Sequence, residues 1–508
     1  MIESSQSKVE YGDFQTPPEL AEQICHKLVK IGISPDIIIE PTCGVGNFLL
    51  AAAHSFPLAH RIFGIEINPD YLQRIRNNQQ FLQDQRIEVQ QGNFFEFDWS
   101  SLIHKSIDQG QDNILCLGNF PWITNSQQGT INGRNLPRKT NFQNHNGLDA
   151  ITGKSNFDIS EWMLIESIQW LRNRPACLAM LCKTSVARKL LNYIRSKNLT
   201  IAYCATYQID AKKYFDATVD ACLLLCQFDS TSRHYSCDVF HSLNTDTFYR
   251  TGYYNGILVR DMDSFHKLKD LHNPNPDVKW RSGIKHDCAS VMELRKVNHQ
   301  LINGFNEVVD LEERYLFPLL KGSDVAQNRI NRNDRYILVT QKYIGESTAD
   351  LQHLAPKTWN YLINHSKYLD NRKSKIYSKG DRFSIFGVGS YSFAPWKIAI
   401  CGLYKKLDFR LIGKINDKPI VFDDTVYFLN FEEEKLAQQT FALLTSPLAL
   451  DFYSSLIFWD EKRPIKSSIL NQLDLIALAE REVTRMVYHG LPTRVKDAQR
   501  DRSDRRVR

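Results

Sequence analysis

Residues 36–53 read DIIIEPTCGVGNFLLAAA. Three consecutive isoleucines predict a strand buried on both faces, as in a parallel sheet covered by helices. The strand ends in an acid, Glu40, and passes through Pro41, Thr42 and Cys43 into a turn carrying Gly44 and Gly46. The following NFLLAAA has helical character. Strand, glycine turn and helix in that order make a nucleotide-binding corner, because glycine brings backbone close to a ligand with no Cβ in the way.

Leu49 stands where a third glycine would complete G-x-G-x-x-G, which argues against a pyrophosphate-bearing dinucleotide. Glu40 points the same way, since a carboxylate repels phosphate and attracts a cation. S-adenosylmethionine carries a sulfonium and an ammonium and no phosphate, so it suits this corner. Outward from it, RIFGIE (61–66) ends in Glu66, twenty residues after Gly46 and followed by Ile67. That is the spacing of an acid that bonds ribose hydroxyls. RIEVQQ (86–91) leads to Gly92, Asn93 and Phe94. Asn93 can bond an adenine amino group, while Phe94 and Phe95 either stack on the ring or pack in the core.

NILCLG (113–118) runs into Asn119, Phe120, Pro121 and Trp122. An exocyclic base amine is a poor nucleophile, because its lone pair is delocalised into the ring. Two acceptors aimed at its hydrogens favour the nucleophilic geometry. Asn119 offers a side-chain oxygen and Phe120 its carbonyl; Pro121 stiffens the turn and Trp122 presents a face for a base. Such a site works by positioning and electrostatics.

ACLAMLC (176–182) and ACLLLCQF (221–228) read as further buried strands, and 17–31, 46–56, 68–80, 157–172 and 184–196 as helices. The alternation predicts an α/β fold with a doubly wound, mainly parallel sheet, whose ligands sit at the C-terminal strand ends. A polar segment, 123–155, interrupts it and carries Arg134, Arg138, Lys139 and Lys154, candidates for gripping DNA phosphates. Beyond about residue 240, short mixed strands such as RYILVT, WKIAICGLY and TVYFLNF accompany helices such as EEEKLAQQTFALLTS. The expected division is 1–245, a separate α+β domain at 246–490, and a basic tail at 491–508.

In family order, the chain resembles the TaqI-like, gamma-class adenine-N6 DNA methyltransferases. Tyr11-Gly-Asp-Phe-Gln-Thr16-Pro17 is similar to that family's N-terminal motif, which closes over the methionine part of the cofactor. EPTCGVGNF, GIEINP and GNFFEF resemble its glycine, ribose and adenine motifs. NFPW stands where the family has Asn-Pro-Pro-Tyr/Phe/Trp. KKYFDATVDACLLLCQF resembles the motif whose aromatic packs on the rotated target base, which makes Phe215 a second base-stacking residue. The resemblance implies a seven-stranded Rossmann-like methyltransferase sheet and S-adenosyl-L-methionine as methyl donor. It also implies a C-terminal target-recognition domain including LKGSDV (320–325) and DDTVYFL (423–429), with double-stranded DNA as partner. A cognate restriction endonuclease is a further expected partner. Two residues depart from the family: Phe120 for the first proline of the catalytic motif, and Asn93 for the usual Asp.

The 508 residues carry a formal charge of +6. The tail, with seven basic and three acidic residues, supplies +4 of it, so a DNA surface on the folded part must come from local clustering. The eleven cysteines form no CxxC pair and read as buried small hydrophobes. No signal peptide or membrane-length apolar run is present, so a cytoplasmic location is expected and no metal is called for. Asp423, Asp424, Glu433 and Lys435 superficially resemble a nuclease metal site. Cytosine-N4 methylation and an inactive DNA-binding module are the other rivals.

Overall fold

The computed structural model describes residues 14–107, 113–122, 158–276 and 278–490. The chain forms two compact units that divide after Asp263. In the first, ten strands make one sheet. They are β1 (Ile37–Glu40), β2 (Arg61–Glu66), β3 (Ile87–Gln91), β4 (Ile114–Asn119), β5 (Ala176–Lys183), β6 (Tyr203–Ile209), β7 (Ala221–Phe228), β8 (Cys237–Phe240), β9 (Phe248–Tyr254) and β10 (Ile257–Val259). Across the sheet the order is β10-β9-β8-β6-β7-β5-β4-β1-β2-β3.

The strands from β3 through β5 run parallel, and β7 lies antiparallel between β5 and β6. The chain winds outward from β1 to β3, then returns to β4 on the other side of β1. That reversal opens a crevice outside the C-terminal ends of β1 and β4. Successive β1 residues enter opposite cores: Ile37 and Ile39 join one, Ile38 the other. Each buried isoleucine contributes roughly 1.5–3 kcal/mol. On the Ile38 side pack α1 (Pro18–Lys30) and α2 (Asn47–Ser55). Apolar α1 residues Leu20, Ala21, Ile24, Cys25 and Leu28 fall on one helical stripe. On the other side pack α3 (Ile159–Leu171) and α4 (Thr184–Ser196).

Two expectations are corrected. The sheet has ten strands, not seven, and the first unit runs past residue 245. The cause is the same: β8 pairs with β6, and β9 and β10 follow it as antiparallel strands. These strands are short, and β9 is largely half-buried or exposed, so they lack the continuous apolar run that marks β1 or β4.

The second unit is α+β. Trp396–Cys401 and Val426–Phe431 are neighbours in a four-stranded sheet, and Leu316–Leu320 and Arg335–Leu338 in a six-stranded one. Glu434–Leu444 and Pro447–Leu456 are helices. Within LKGSDV, Asp324 is fully buried and accepts from the Lys321 amide, Arg329 and Arg335. All eleven cysteines are buried and free. Among the described residues no helix is long and apolar enough to cross a membrane.

Candidate active site

The glycine turn is fixed by its neighbours rather than by its own sequence. Gly44 and Gly46 hold φ of +53° and +84°. The Gly44 amide donates to Glu66 Oε2 at 2.7 Å, and the Asn68 amide to Glu66 Oε1 at 2.7 Å. Gln15 Oε1 accepts from the Val45 amide at 3.1 Å, and Asn47 Nδ2 donates to the Thr16 carbonyl at 2.8 Å. A segment just ahead of α1 is thereby tied across the turn.

Gly46 caps α2 in the left-handed region, and a Cβ there would lie 2.5 Å from the ring of buried Phe81. The backbone strain is worth about 1–2 kcal/mol and overpacking about 1–3 kcal/mol. Gly46→Ala should therefore destabilise the first unit by roughly 2–5 kcal/mol. Thermal denaturation will check this, and an unchanged midpoint would refute it.

In front of the turn lies a cavity of about 420 Å³. Thr16, Glu40, Pro41, Thr42, Cys43, Gly44, Glu66, Ile67, Asn93 and Phe94 line it, together with Asn119, Phe120 and Pro121 of the β4 end. The structure thus brings these expected cofactor residues together with Asn119, Phe120 and Pro121; Trp122 and Phe215 are not on the lining. Gly46 is not on the lining; it stands behind, against Phe81. Tyr11 lies outside the described residues, as do Arg134, Arg138, Lys139 and Lys154.

Glu40 is 4% exposed, and its Oε2 has no hydrogen-bond partner among the described residues. Burial, reinforced by the nearby Glu66, pushes its carboxyl well above the ordinary carboxylate range. A cation in the cavity would relieve this. The donor set therefore fits S-adenosylmethionine: a buried acid with one oxygen lacking a hydrogen-bond partner for positive charge, the Glu66 carboxylate on the same lining for ribose hydroxyls, and aromatic walls for a base.

Asn93 Oδ1 accepts from the Phe95 amide at 3.0 Å, which fixes its side chain at the cavity rim. Phe94 is buried edge-on against Phe120 at 5.3 Å, whereas half-buried Phe95 lines the cavity. Core packing therefore claims most of Phe94.

At the catalytic corner, Asn119 Nδ2 donates to the Phe14 carbonyl at 3.0 Å, and the Asn119 carbonyl accepts from Thr42 Oγ1 at 3.3 Å. The opposite amide orientation would set two oxygens against each other. The buried Oδ1 has no hydrogen-bond partner among the described residues. Trp122 is buried, 5.0 Å from Phe215 at 65° and 5.9 Å from Phe14. A base between two rings needs about 7 Å, twice a carbon–carbon contact. The structure thus joins Trp122 and Phe215 but leaves no slot between them, so seating a base requires a ring to move. Phe14, Gln15, Asn47 and Lys183 are not singled out by the sequence reading: Phe14 and Gln15 sit inside the N-terminal motif and Asn47 inside EPTCGVGNF, but their roles come from contacts distant in the chain.

Of the residues resembling a nuclease site, Asp423 accepts from Thr425 and Asp424 pairs with Arg463. Among the described residues, no cluster of three or more His, Cys, Asp or Glu is placed to hold a metal.

The chain is 64% identical over 474 residues to Type II methyltransferase M.NspV of Nostoc sp. (strain ATCC 29411 / PCC 7524), covering 93% of this chain and 98% of that protein. The chain belongs to the Type II methyltransferase family. No family model matches it. The fold of this Type II methyltransferase is similar to that of the Type IIL restriction-modification enzyme MmeI, solved in complex with DNA. The TM-score is 0.51 at 13% identity, over 92% of this chain but 65% of MmeI. M. jannaschii TYW2 in complex with AdoMet matches 41% of this chain and 76% of its own, at 9% identity and a TM-score of 0.25. As a Type II methyltransferase, the chain uses S-adenosylmethionine as its methyl donor.

The charge on Glu40 gives this donor a pH dependence. Burial and the nearby Glu66 make Glu40 hold its proton to higher pH than an ordinary carboxylate, and a cationic ligand would displace that proton. Affinity should therefore rise with pH above the ordinary carboxylate range and level off beyond the raised value. Titration calorimetry over a pH series rising from the ordinary carboxylate range should show proton release on binding, and Glu40→Gln should flatten the dependence. A pH-independent affinity in the wild type would contradict it.

Proposed function

We propose that this chain is a DNA methyltransferase acting on the N6 amino group of adenine in double-stranded DNA. It modifies one short sequence and serves as the modification enzyme of a restriction-modification system in the cytoplasm, alongside a cognate endonuclease. The observation that carries this reading is the buried, unpartnered Asn119 Oδ1 at the edge of the cofactor cavity. Leaving a buried acceptor unpaired costs about 1–3 kcal/mol, an expense that substrate binding recovers.

Bound in this cavity, S-adenosylmethionine supplies an electrophilic methyl on a sulfonium. Asn119 Oδ1 and the Phe120 carbonyl accept the two amine hydrogens and direct the nitrogen lone pair. The aromatic cluster of Trp122, Phe215 and Phe14 receives the base, which must first leave the duplex at a cost of a few kcal/mol. The α+β unit reads the sequence, since the first unit is occupied with cofactor and target base. The likeness to MmeI, solved with DNA, supports a DNA substrate.

The test is modified-base sequencing of DNA from cells expressing the protein. N6-methyladenine at a single short motif is expected. N4-methylcytosine at such a motif would move the reading to the other exocyclic amine, and no modification would overturn it.

A further inference from the structure

The sequence raises a mechanical question at the catalytic corner: Phe120 replaces a proline, so one constraint on the turn is missing. Two features of the structure supply rigidity. Phe120 is 1% exposed and wedged edge-on against Phe94. Beyond it, the Trp122 carbonyl accepts from Lys183 Nζ at 3.1 Å. Lys183 is the last residue of β5, and β5 pairs with β4 in a register that sets Leu181 beside Asn119. Lys183 thus stands two residues past the catalytic asparagine, level with the turn.

Its ammonium is itself held. Asp158 Oδ2 accepts from Lys183 Nζ at 2.5 Å, while Oδ1 caps α3 through the Ser160 amide and hydroxyl. Asp158 is 6% exposed and the lysine side chain 19%. An ion pair this buried costs desolvation and is weak evidence of a stabilising role. What it does supply is a directional anchor: strand β5 and the cap of α3 meet at one nitrogen, and that nitrogen fixes the backbone of Trp122. The indole Nε1 has no partner of its own among the described residues, so the backbone is the anchored end of this residue.

We propose that Lys183, oriented by Asp158, is a positioning residue for methyl transfer, fixing through the Trp122 carbonyl the aromatic plane on which the target base rests. The proposal rests on the reading of Trp122 as a base-stacking residue. It assigns no proton transfer to Lys183 and no contact with the base.

The test compares wild type, Lys183→Met, Lys183→Arg and Asp158→Asn as full chains with S-adenosylmethionine and an unmethylated duplex carrying the motif identified by modified-base sequencing. Steady-state kinetics, cofactor affinity and thermal melting are measured for each. Misplacing a stacking surface by an ångström can cost up to about a hundredfold in rate. Lys183→Met should therefore lose ten- to a hundredfold in kcat, with cofactor affinity within about threefold. Lys183→Arg, which keeps the charge and both donors, should recover most of that loss. Asp158→Asn keeps the helix cap but weakens the anchor, and should fall between; it replaces Lys183→Met if that variant does not fold. Unchanged kcat in a folded Lys183→Met would overturn the proposal. So would equal losses of kcat and cofactor affinity in every variant, arginine included, since that is the signature of general destabilisation. Nucleoside mass spectrometry of the wild-type product tests the amine-methylation reading separately, so the two failures are distinguishable.

Discussion

Asn119→Ala is expected to slow methyl transfer by on the order of 10²–10³-fold while cofactor affinity stays within a few-fold, the scale seen when one preorganised polar group is removed from a catalytic site. The separation follows from how the side chain is held. Its carbonyl and Nδ2 are engaged with Thr42 and Phe14, and the remaining Oδ1 has no partner among the described residues. Alanine removes the acceptor and leaves the Glu40 and Glu66 side of the cavity intact. Asn119→Asp divides the roles: it keeps an acceptor oxygen but sets a carboxylate against the Phe14 carbonyl, so it should retain part of the rate and lose local order. Single-turnover transfer of a tritiated methyl group, with calorimetry for the cofactor, measures both. A rate unchanged in Asn119→Ala would take the residue out of the chemistry altogether.

The residues that carry this prediction differ in how well the sequence exposes them. Glu40, Glu66 and Asn119 are legible because each ends an apolar strand, and strand ends converge at a switch point once the strands are parallel. The glycine turn is legible for the same reason. Phe14 is not, because its role comes from a contact 105 positions away in the chain, where its carbonyl meets Asn119. Lys183 is hidden in the same way: a lysine closing a buried strand reads as a solvated end until the neighbouring strand brings the Trp122 carbonyl to it. Phe94 shows the converse. Its motif marks it as a cofactor contact, yet Phe120, Trp99 and Trp170 surround it and most of its surface goes to the core. The extra strands β8 to β10 are not legible for two reasons: β8, though buried, is four residues long and interrupted by Asp238, and β9 and β10 towards the sheet edge lack two-sided burial, the strongest strand signal.

Glu66→Ala should have the second large effect, of a different kind from Asn119→Ala. Its two carboxylate oxygens accept from the Gly44 and Asn68 amides, so one side chain braces the glycine turn against the start of the next helix. Hydrogen bonds to a charged group are worth about 1.5–3 kcal/mol each, and at 8% exposure Glu66 leaves little room for water to replace them. Alanine strands two backbone donors and, on the proposed reading, removes the acceptor for ribose hydroxyls. Cofactor affinity should therefore fall by about a hundredfold or more, since about 2.7 kcal/mol corresponds to two decades. At saturating cofactor, kcat should be largely retained, because Asn119 and Trp122 belong to another strand end. Glu66→Gln keeps one acceptor and should lose less. The contrast is the useful measurement: a kcat loss in Glu66→Ala as deep as that in Asn119→Ala would mean the two strand ends form one mechanical unit, not a binding half and a chemical half.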